Sequence, residues 1–107
     1  MLGKSSLFSR RVWEIATSIP EGRVMTYGGL ARAAGGGPLA ARSITSILSK
    51  APNQGAIPYH RIVYAGGRVW LSPEIEKSRR ALYKREGIAI NKRGCIEDFD
   101  EVLWQPE

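Results

Sequence analysis

The stretch Pro38-Leu-Ala-Ala-Arg-Ser-Ile-Thr-Ser-Ile-Leu-Ser-Lys50 carries the clearest periodic pattern in the chain. At 100° per residue its apolar side chains collect on one face of a helix. With the residue that follows the stretch, this face holds Ala40, Ala41, Ile44, Ile47, Leu48 and Ala51. The opposite face holds Arg42, Ser43, Thr45, Ser46, Ser49 and Lys50. The pattern predicts a helix from about Pro38 to Lys50 with one face in a core.

The polar face of this helix contains no carboxylate and consists mostly of small hydroxyl side chains. An ordinary solvated helix face mixes Glu with Lys. Small side chains without negative charge let a helix approach a phosphate-lined groove, and hydroxyls can bond to phosphate oxygens. The alternative is a surface helix that happens to carry few long residues. The composition of this face favours nucleic-acid binding over that alternative.

Two helices are predicted upstream of this one. The first has its apolar residues at helical spacing and ends at Pro20-Glu21-Gly22; they are Phe8, Val12, Ile15, Ala16 and Ile19. After a short strand at 23–25, Thr26 is a suitable N-cap for a second helix to about Ala34. The glycines at 35–37 then break the helix. Two short helices with a tight connection outline a helix-turn-helix.

The second half of the chain predicts a wing and one more helix. A turn at 65–67 precedes residues 68–71, which we expect to pair back as a hairpin. Ser72-Pro73 suits a helix start, with the helix running to about Glu86 before Gly87. Residues 88–104 alternate only loosely and are expected to be extended or irregular.

Composition limits the partner and the setting. The 107 residues suffice for one domain with a modest core, and a net charge of +6 with a pI near 9.9 fits a polyanionic partner. No apolar run approaches a membrane span, and residues 1–6 lack a signal-peptide core. A single Cys95 rules out an internal disulfide and favours a reducing, intracellular setting. One His and one Cys do not make a protein zinc site, so neither a metal nor another cofactor is expected.

A second stretch, Ile57-Pro58-Tyr59-His60-Arg61-Ile62-Val63, resembles the Pro-Cys-His-Arg-Val signature of the O6-alkylguanine-DNA alkyltransferases. In that family the cysteine accepts the alkyl group from guanine O6. Here Tyr59 stands at the cysteine position, and a phenol, which ionises only near pH 10, is a far poorer acceptor than a thiolate. The sequence therefore resembles the alkyltransferase-like proteins, the non-catalytic relatives with a substitution at this position, in which tryptophan is the usual replacement.

Three more segments resemble the alkyltransferases, in the same order and at similar spacing. These are Pro20-Glu21-Gly22-Arg23-Val24-Met25-Thr26-Tyr27-Gly28, Ala40-Ala41-Arg42-Ser43 and Arg85-Glu86-Gly87. The resemblance extends from Phe8 to about Ile90. It implies an α+β, mainly helical fold: a single winged helix-turn-helix domain over residues 1–107, without the family's additional N-terminal domain.

The resemblance also implies which residues meet DNA. Arg42 would be a finger that fills the vacancy left by an extruded base, and Tyr27 would rotate the 3′ phosphate. Tyr59 would form a wall of the lesion pocket; the alternative is that its ring fills the pocket. The remaining expected DNA- or lesion-binding residues are Thr26, Ala41, Ser43 and Ser46 near the two helix starts, and Trp70, Leu71 and Ser72 in the lesion-binding loop.

A further group is implied to support the pocket. His60 and Glu86 correspond to the relay that activates the family's cysteine and would remain here as structural partners. Arg61 and Pro58 would belong to the same support, and Asn53 would tie the helix-turn-helix to the pocket loop.

The function implied is recognition without alkyl transfer. A monomer would bind double-stranded DNA through the minor groove, flip O6-alkylguanine into a pocket and flag it for nucleotide excision repair proteins. It would act in the cytoplasm, at the nucleoid of a bacterium or archaeon, or in the nucleus of a eukaryote, and not at a membrane. Two alternatives remain: an alkyl-transferring enzyme that uses Tyr59 or Cys95, and a winged-helix regulator without lesion specificity.

Overall fold

The fold begins with the helix that the sequence predicts. The computed structural model describes residues 6–37 and 39–106. Helix α1 (Leu7–Ser18) starts at Ser6, whose Oγ accepts a 3.0 Å hydrogen bond from the amide of Ser9. It buries Val12 and Ala16. The indole Nε1 of Trp13 donates a 2.7 Å hydrogen bond to the carbonyl of Ile47. This bond fixes α1 against the helical segment Ile44–Ser49.

Strand β1 (Met25–Thr26) pairs in parallel with β2 (Ile62–Val63), Met25 opposite Ile62 and Thr26 opposite Val63. The strand expected at 23–25 is therefore displaced toward the C-terminus. Val24 forms a separate parallel bridge to Leu103, with its amide 2.9 Å from the Val102 carbonyl. This pairing brings the end of the chain beside the short sheet.

Helix α2 (Tyr27–Ala33) has the predicted N-cap, since Oγ1 of Thr26 accepts a 2.8 Å hydrogen bond from the amide of Gly29. The helix expected at 38–50 is only partly α-helical. Residues Ala40–Ser43 form a 3₁₀ turn and α3 spans Ile44–Ser49, while its expected start at Pro38 lies outside the described residues. The reversal is tight: a Cβ on Gly36 would lie 2.5 Å from that of Ala40. A continuous α-helix was therefore a wrong expectation for 40–43.

The two faces predicted for this segment are confirmed. Ile44, Leu48 and Ala51 are buried, and the six polar residues from Arg42 to Lys50 are exposed. The first core lies between α1, α2 and α3. A second core lies beyond the short sheet and consists of Val24, Val63, Val69, Tyr83, Ile88 and Ile96.

The wing differs from the predicted local hairpin. The amide of Tyr64 donates to the Arg68 carbonyl at 2.8 Å, which closes the turn 64–68, but Arg68 then bridges Cys95 in antiparallel fashion. The amide of Val69 donates to the carbonyl of Gly94 at 2.9 Å. The main partner of residues 68–69 is thus the C-terminal segment, a long-range pairing with no local signal.

Helix α4 (Glu76–Arg85) begins three residues later than expected. Ser72 is not its N-cap; residues 73–75 form a turn in which the Ser72 carbonyl accepts from the amides of Ile75 and Glu76 at 3.0 and 2.9 Å. The predicted stop is confirmed, because Glu86 caps the helix and Gly87 adopts φ +77°.

The acidic C-terminal segment packs onto the domain. A short helix α5 (Phe99–Val102) stands where extended chain was expected, and the Phe99 ring packs on Gly67. Arg23 donates a 2.9 Å hydrogen bond from Nη1 to the carbonyl of Glu101. Within residues 6–37 and 39–106, no helix combines the length and apolar character needed to cross a bilayer.

Candidate nucleic-acid interface

A network centred on Glu86 joins α4 to the 3₁₀ turn Tyr59–Arg61. Oε2 of Glu86 lies 2.6 Å from Nε2 of His60 and 2.7 Å from Nη2 of Arg61. Oε1 accepts from the amide of Gly22 at 2.9 Å and from Nε of Arg61 at 3.1 Å. Nη1 of Arg61 donates to the Ile19 carbonyl at 3.0 Å. The expected pairings of Glu86 with His60 and Arg61 are therefore present, and the network as a whole connects three segments of the chain, at 19–22, 60–61 and 86.

The electrostatics of this network stabilise a charged Glu86. Its side chain is only 5% exposed, and burial alone would raise the pKa of the carboxyl. The hydrogen bonds from Arg61, the Gly22 amide and His60 outweigh burial and lower the pKa to about 2. Glu86 is thus negatively charged at neutral pH, and both of its carboxylate oxygens are engaged in hydrogen bonds with other groups of the protein.

Tyr83 is a member of the site that the sequence analysis missed. It is fully buried, and its hydroxyl donates a 2.5 Å hydrogen bond to the carbonyl of His60. Burial, opposed by Arg79, raises the pKa of its phenol to about 12. Tyr83 lies one helical turn before Glu86, so both side chains are on the inner side of α4. This spacing in the sequence could have identified Tyr83 as a neighbour of the Glu86 network.

Tyr59 is half-buried and packs its ring against the first core. Its hydroxyl lies 2.6 Å from Oε1 of Gln54 and 3.3 Å from the carbonyl of Leu48, near the end of α3. Nε2 of His60, by contrast, is engaged by Glu86. The phenol is thus oriented by the helix-turn-helix, and the neighbouring histidine is oriented by α4.

Gln54 performs the connection that was assigned to Asn53. Nε2 of Gln54 donates to the carbonyls of Leu48 and Ala51 at 2.8 and 2.9 Å, and its Oε1 receives the Tyr59 hydroxyl. Asn53 is exposed, and within the described residues its side chain makes no hydrogen bond to another side chain or to the backbone. The expectation for Asn53 was wrong by one position, because a longer amide reaches both the helix end and the phenol. Pro58 contributes its carbonyl, which accepts from the Arg61 amide at 2.8 Å.

Tyr27 begins α2 and stacks against Tyr64, with ring centroids 5.2 Å apart and planes inclined at 41°. Burial and then the proximity of Tyr64 raise the pKa of the Tyr27 phenol, while Arg79 and a hydrogen bond with Thr45 act in the opposite sense. Arg68 lies over the Tyr64 ring, with Cζ 5.8 Å from the centroid. Tyr64 and Arg68 were not among the expected site residues.

Arg42 lies in the exposed 3₁₀ turn that precedes α3. Ser43 and Ser46 are exposed beside it, whereas Ala41 is half-buried against the first core. The Thr26 hydroxyl accepts the capping hydrogen bond of α2. The side chains expected at DNA thus divide into an exposed group at the start of α3 and residues that shape the underlying turn.

The expected lesion-binding loop is mixed in its exposure. Trp70 is 59% exposed, whereas Leu71 packs inward, so close that a Cβ on Gly94 would lie 3.1 Å from its Cδ1. Ser72 is half-buried and uses its carbonyl at the start of α4. Cys95 is half-buried in the segment that pairs with Arg68 and makes none of the hydrogen bonds of the Glu86 network. Within the described residues, no group of three or more His, Cys, Asp or Glu side chains could hold a metal.

Two clefts adjoin the helix-turn-helix rather than the Tyr59 ring. One, of about 520 Å³, lies between α1, α2 and the C-terminal residues, with Thr26, Arg32 and Trp104 in its walls. The other, of about 420 Å³, is lined by Arg32, Ala41 and small residues between α2 and the turn before α3. Neither cleft includes His60 or Tyr59 among its lining residues.

Comparison with known proteins agrees with this geometry. Residues 7–88 match the family described as the DNA-binding domain of 6-O-methylguanine DNA methyltransferase. The chain is 39% identical over 102 residues to the DNA base-flipping protein of Escherichia coli, covering 94% of this chain and 77% of that protein. It is 33% identical over 88 residues to the methylated-DNA–protein-cysteine methyltransferase of Methanothermobacter thermautotrophicus, covering 82% and 48%.

Solved structures give the same result for the fold. A crystal structure of Schizosaccharomyces pombe ATL in complex with DNA superposes with a TM-score of 0.74 at 25% identity, covering 96% of this chain and 99% of that one. The S. pombe Alkyltransferase-like protein 1 is also 27% identical in sequence over 105 residues, covering 92% and 95%. The expected winged helix-turn-helix is confirmed. The chain belongs to the family of the 6-O-methylguanine DNA methyltransferase DNA-binding domain, in which its relatives include base-flipping and alkyltransferase-like proteins.

Proposed function

We propose that this protein binds double-stranded DNA containing O6-alkylguanine and flips the damaged nucleotide into a pocket beside Tyr59, leaving the alkyl group in place. The observation that carries this proposal is the contrast at the site. The network of His60, Arg61 and Glu86 is complete, but the residue beside it is a phenol held by Gln54. The similarity of the chain to the E. coli DNA base-flipping protein and to S. pombe ATL, whose structure was solved in complex with DNA, supports the same function.

The position of the hydroxyl supports recognition without transfer. An adjacent base within hydrogen-bond reach activates an oxygen nucleophile. The Tyr59 hydroxyl is bonded to an amide oxygen and a backbone carbonyl, neither of which can take its proton at neutral pH. His60 is held by Glu86 instead. A site of this kind can contact an extruded base through an aromatic face, an interaction worth about 1–3 kcal/mol per base.

Binding to the duplex is assigned to the start of α3. Flipping a base costs a few kcal/mol, least where pairing is already damaged. Arg42 is exposed at the head of a face without carboxylates, and a planar guanidinium can stack in the vacated position and bond to the orphaned cytosine. The small exposed side chains of Ser43 and Ser46 allow close approach to the minor groove.

A protein that binds without converting its target acts by marking it. The proposed consequence is recruitment of nucleotide excision repair proteins to a lesion held by a monomer. This would take place wherever the cell's DNA lies, in the cytoplasm and at the nucleoid or in the nucleus.

The deciding experiment is a paired titration. Two duplexes of identical sequence, one with guanine and one with O6-methylguanine, are titrated at one salt concentration, because affinity depends on salt. Tighter binding to the lesion duplex supports the proposal, and equal affinity for the two would reduce the protein to a general winged-helix binder.

The alternative of an enzyme is tested separately. The lesion duplex is prepared with a labelled methyl group and incubated with excess protein. Retention of all label on the DNA is expected. Label bound covalently to the protein, on Tyr59 or Cys95, would overturn recognition without transfer.

A further inference from the structure

The turn 64–68 presents an aromatic and a basic side chain next to Tyr27. Tyr64 is 39% exposed although its ring stacks on Tyr27, and Arg68 is exposed above the same ring. We propose that Tyr64 and Arg68 bind the sugar–phosphate backbone of DNA on the Tyr27 side of the pocket, as an additional phosphate contact. This inference rests on the proposed function, because it requires Tyr27 to lie at the DNA.

The charge of Arg68 is available for this purpose. The ion pairs among the described residues are those of Glu86 with His60 and Arg61 and of Glu76 with Arg80, so Arg68 is not neutralised by a carboxylate there. Its contact is the face of an aromatic ring, and within the described residues its guanidinium donates no hydrogen bond, so its five N–H groups can bind a ligand. Stacking on Tyr64 restricts the side chain, and a phosphate oxygen can then bond to a guanidinium already in place.

The turn 64–68 is held in place by the C-terminal segment. The carbonyl of Gly67 accepts from the Ile96 amide at 2.9 Å, and Arg68 bridges Cys95. Gly67 adopts φ +88°, and the Phe99 ring packs so closely that a Cβ would lie 3.0 Å from it. A pre-ordered turn loses little conformational freedom on binding. The C-terminal segment thus contributes to the interface by fixing the turn that carries Tyr64 and Arg68.

The chemistry of the pair suits a phosphate rather than a base edge. Phosphate contacts come from Arg, from Tyr hydroxyls and from backbone amides, and they position the protein without reading sequence. Each neutralised phosphate releases a counterion and makes the slope of log K against log salt concentration more negative by about 0.9. The proposal therefore predicts a defined contribution to salt dependence that is the same for damaged and undamaged DNA.

The test is a salt titration of full-length variants on both duplexes. For Arg68→Gln we expect the magnitude of the slope to fall by about 0.9, with equal weakening on lesion and control DNA. Arg68→Lys should keep the slope. Arg85→Gln removes the same charge from the side of α4 turned away from Tyr83 and should leave the slope unchanged.

An Arg68→Gln slope equal to that of the wild type, or equal losses from Arg68→Gln and Arg85→Gln, would overturn the proposal. Tyr64 is tested by Tyr64→Phe, which keeps the stacked ring and removes the hydroxyl; a several-fold loss on both duplexes is expected, and no loss would exclude a hydroxyl contact. Failure of the proposed function is recognised independently, because it shows as equal wild-type affinity for the two duplexes whatever the slopes of the variants.

Discussion

The hydroxyl of Tyr59 lies 2.6 Å from Oε1 of Gln54. Nε2 of Gln54 in turn donates to the carbonyls of Leu48, in α3, and Ala51, just beyond it. The contact between Tyr59 and Gln54 joins the 3₁₀ turn Tyr59–Arg61 to the helix-turn-helix. Tyr59 is therefore held by residues that follow α3, the helix that is proposed to contact DNA.

The contact between these two side chains predicts non-additive stability. Tyr59→Phe should lower the free energy of unfolding by about 0.5–1.5 kcal/mol, because it removes the hydrogen bond from the hydroxyl to Gln54. In the Gln54→Ala background the same change should cost less. Urea unfolding of the two single variants and the double variant measures the coupling. Strictly additive losses would show that the contact contributes no stability; Asn53→Ala serves as the neighbouring control and should be nearly neutral.

Glu86 predicts a specific dependence of stability on pH. Its folded pKa of about 2 is below the ordinary carboxyl value of 4.5, so its contribution is fully present above pH 4.5 and is lost as pH falls toward 2. The shift corresponds to stability on the order of 3 kcal/mol. Urea midpoints of the wild type should fall through this window. Glu86→Gln should be less stable at pH 7 and flatter between pH 4.5 and 2.

The control for this experiment is Glu14→Gln, which removes an exposed carboxylate on α1. It should reproduce the wild-type pH profile. If Glu86→Gln follows the wild-type profile just as closely, the network does not hold Glu86 in its charged form.

Substitutions at the adjacent Gly66 and Gly67 allow the cost of a strained backbone to be measured separately from the cost of a steric clash. Gly66 and Gly67 have φ of +80° and +88°, but only Gly67 faces a neighbour, the Phe99 ring, which would lie 3.0 Å from an added Cβ. Gly66→Ala should cost about 1–2 kcal/mol from the left-handed backbone alone. Gly67→Ala should cost more in thermal or urea unfolding. Equal costs would mean that α5 does not press on the turn.

Arg42 is expected to dominate the affinity for damaged DNA. Arg42→Ala should weaken binding to the lesion duplex by about 1–3 kcal/mol, roughly 5- to 150-fold, because the vacated stack is left unfilled. Ser49→Ala is the matched control from the same exposed face, since the Ser49 hydroxyl is bonded to the Ser46 carbonyl of its own helix. Fluorescence titration of both variants decides the point, and comparable losses would remove the finger role of Arg42.

The local elements follow from the sequence where one residue or one period fixes them. Thr26 caps α2, Gly87 ends α4, and the spacing of Ile44 and Leu48 sets the buried face of α3. The signature around His60 identified Glu86 as its partner because a family pattern carries the three-dimensional pairing with it. These features need no knowledge of what packs against them.

Contacts between distant segments were decided only by the tertiary structure. The pairing of Arg68 with Cys95 and the packing of Phe99 on Gly67 depend on where separate segments meet. Such pairings leave no periodic trace in the chain. The sequence by itself determined the family, the extent of α1 and the cap of α2, because one residue or one period fixes each of these helix features. The fold decided that Tyr59 is oriented by Gln54, and that the C-terminal segment supports the turn beside Tyr27, because both depend on side-chain reach and packing across the domain.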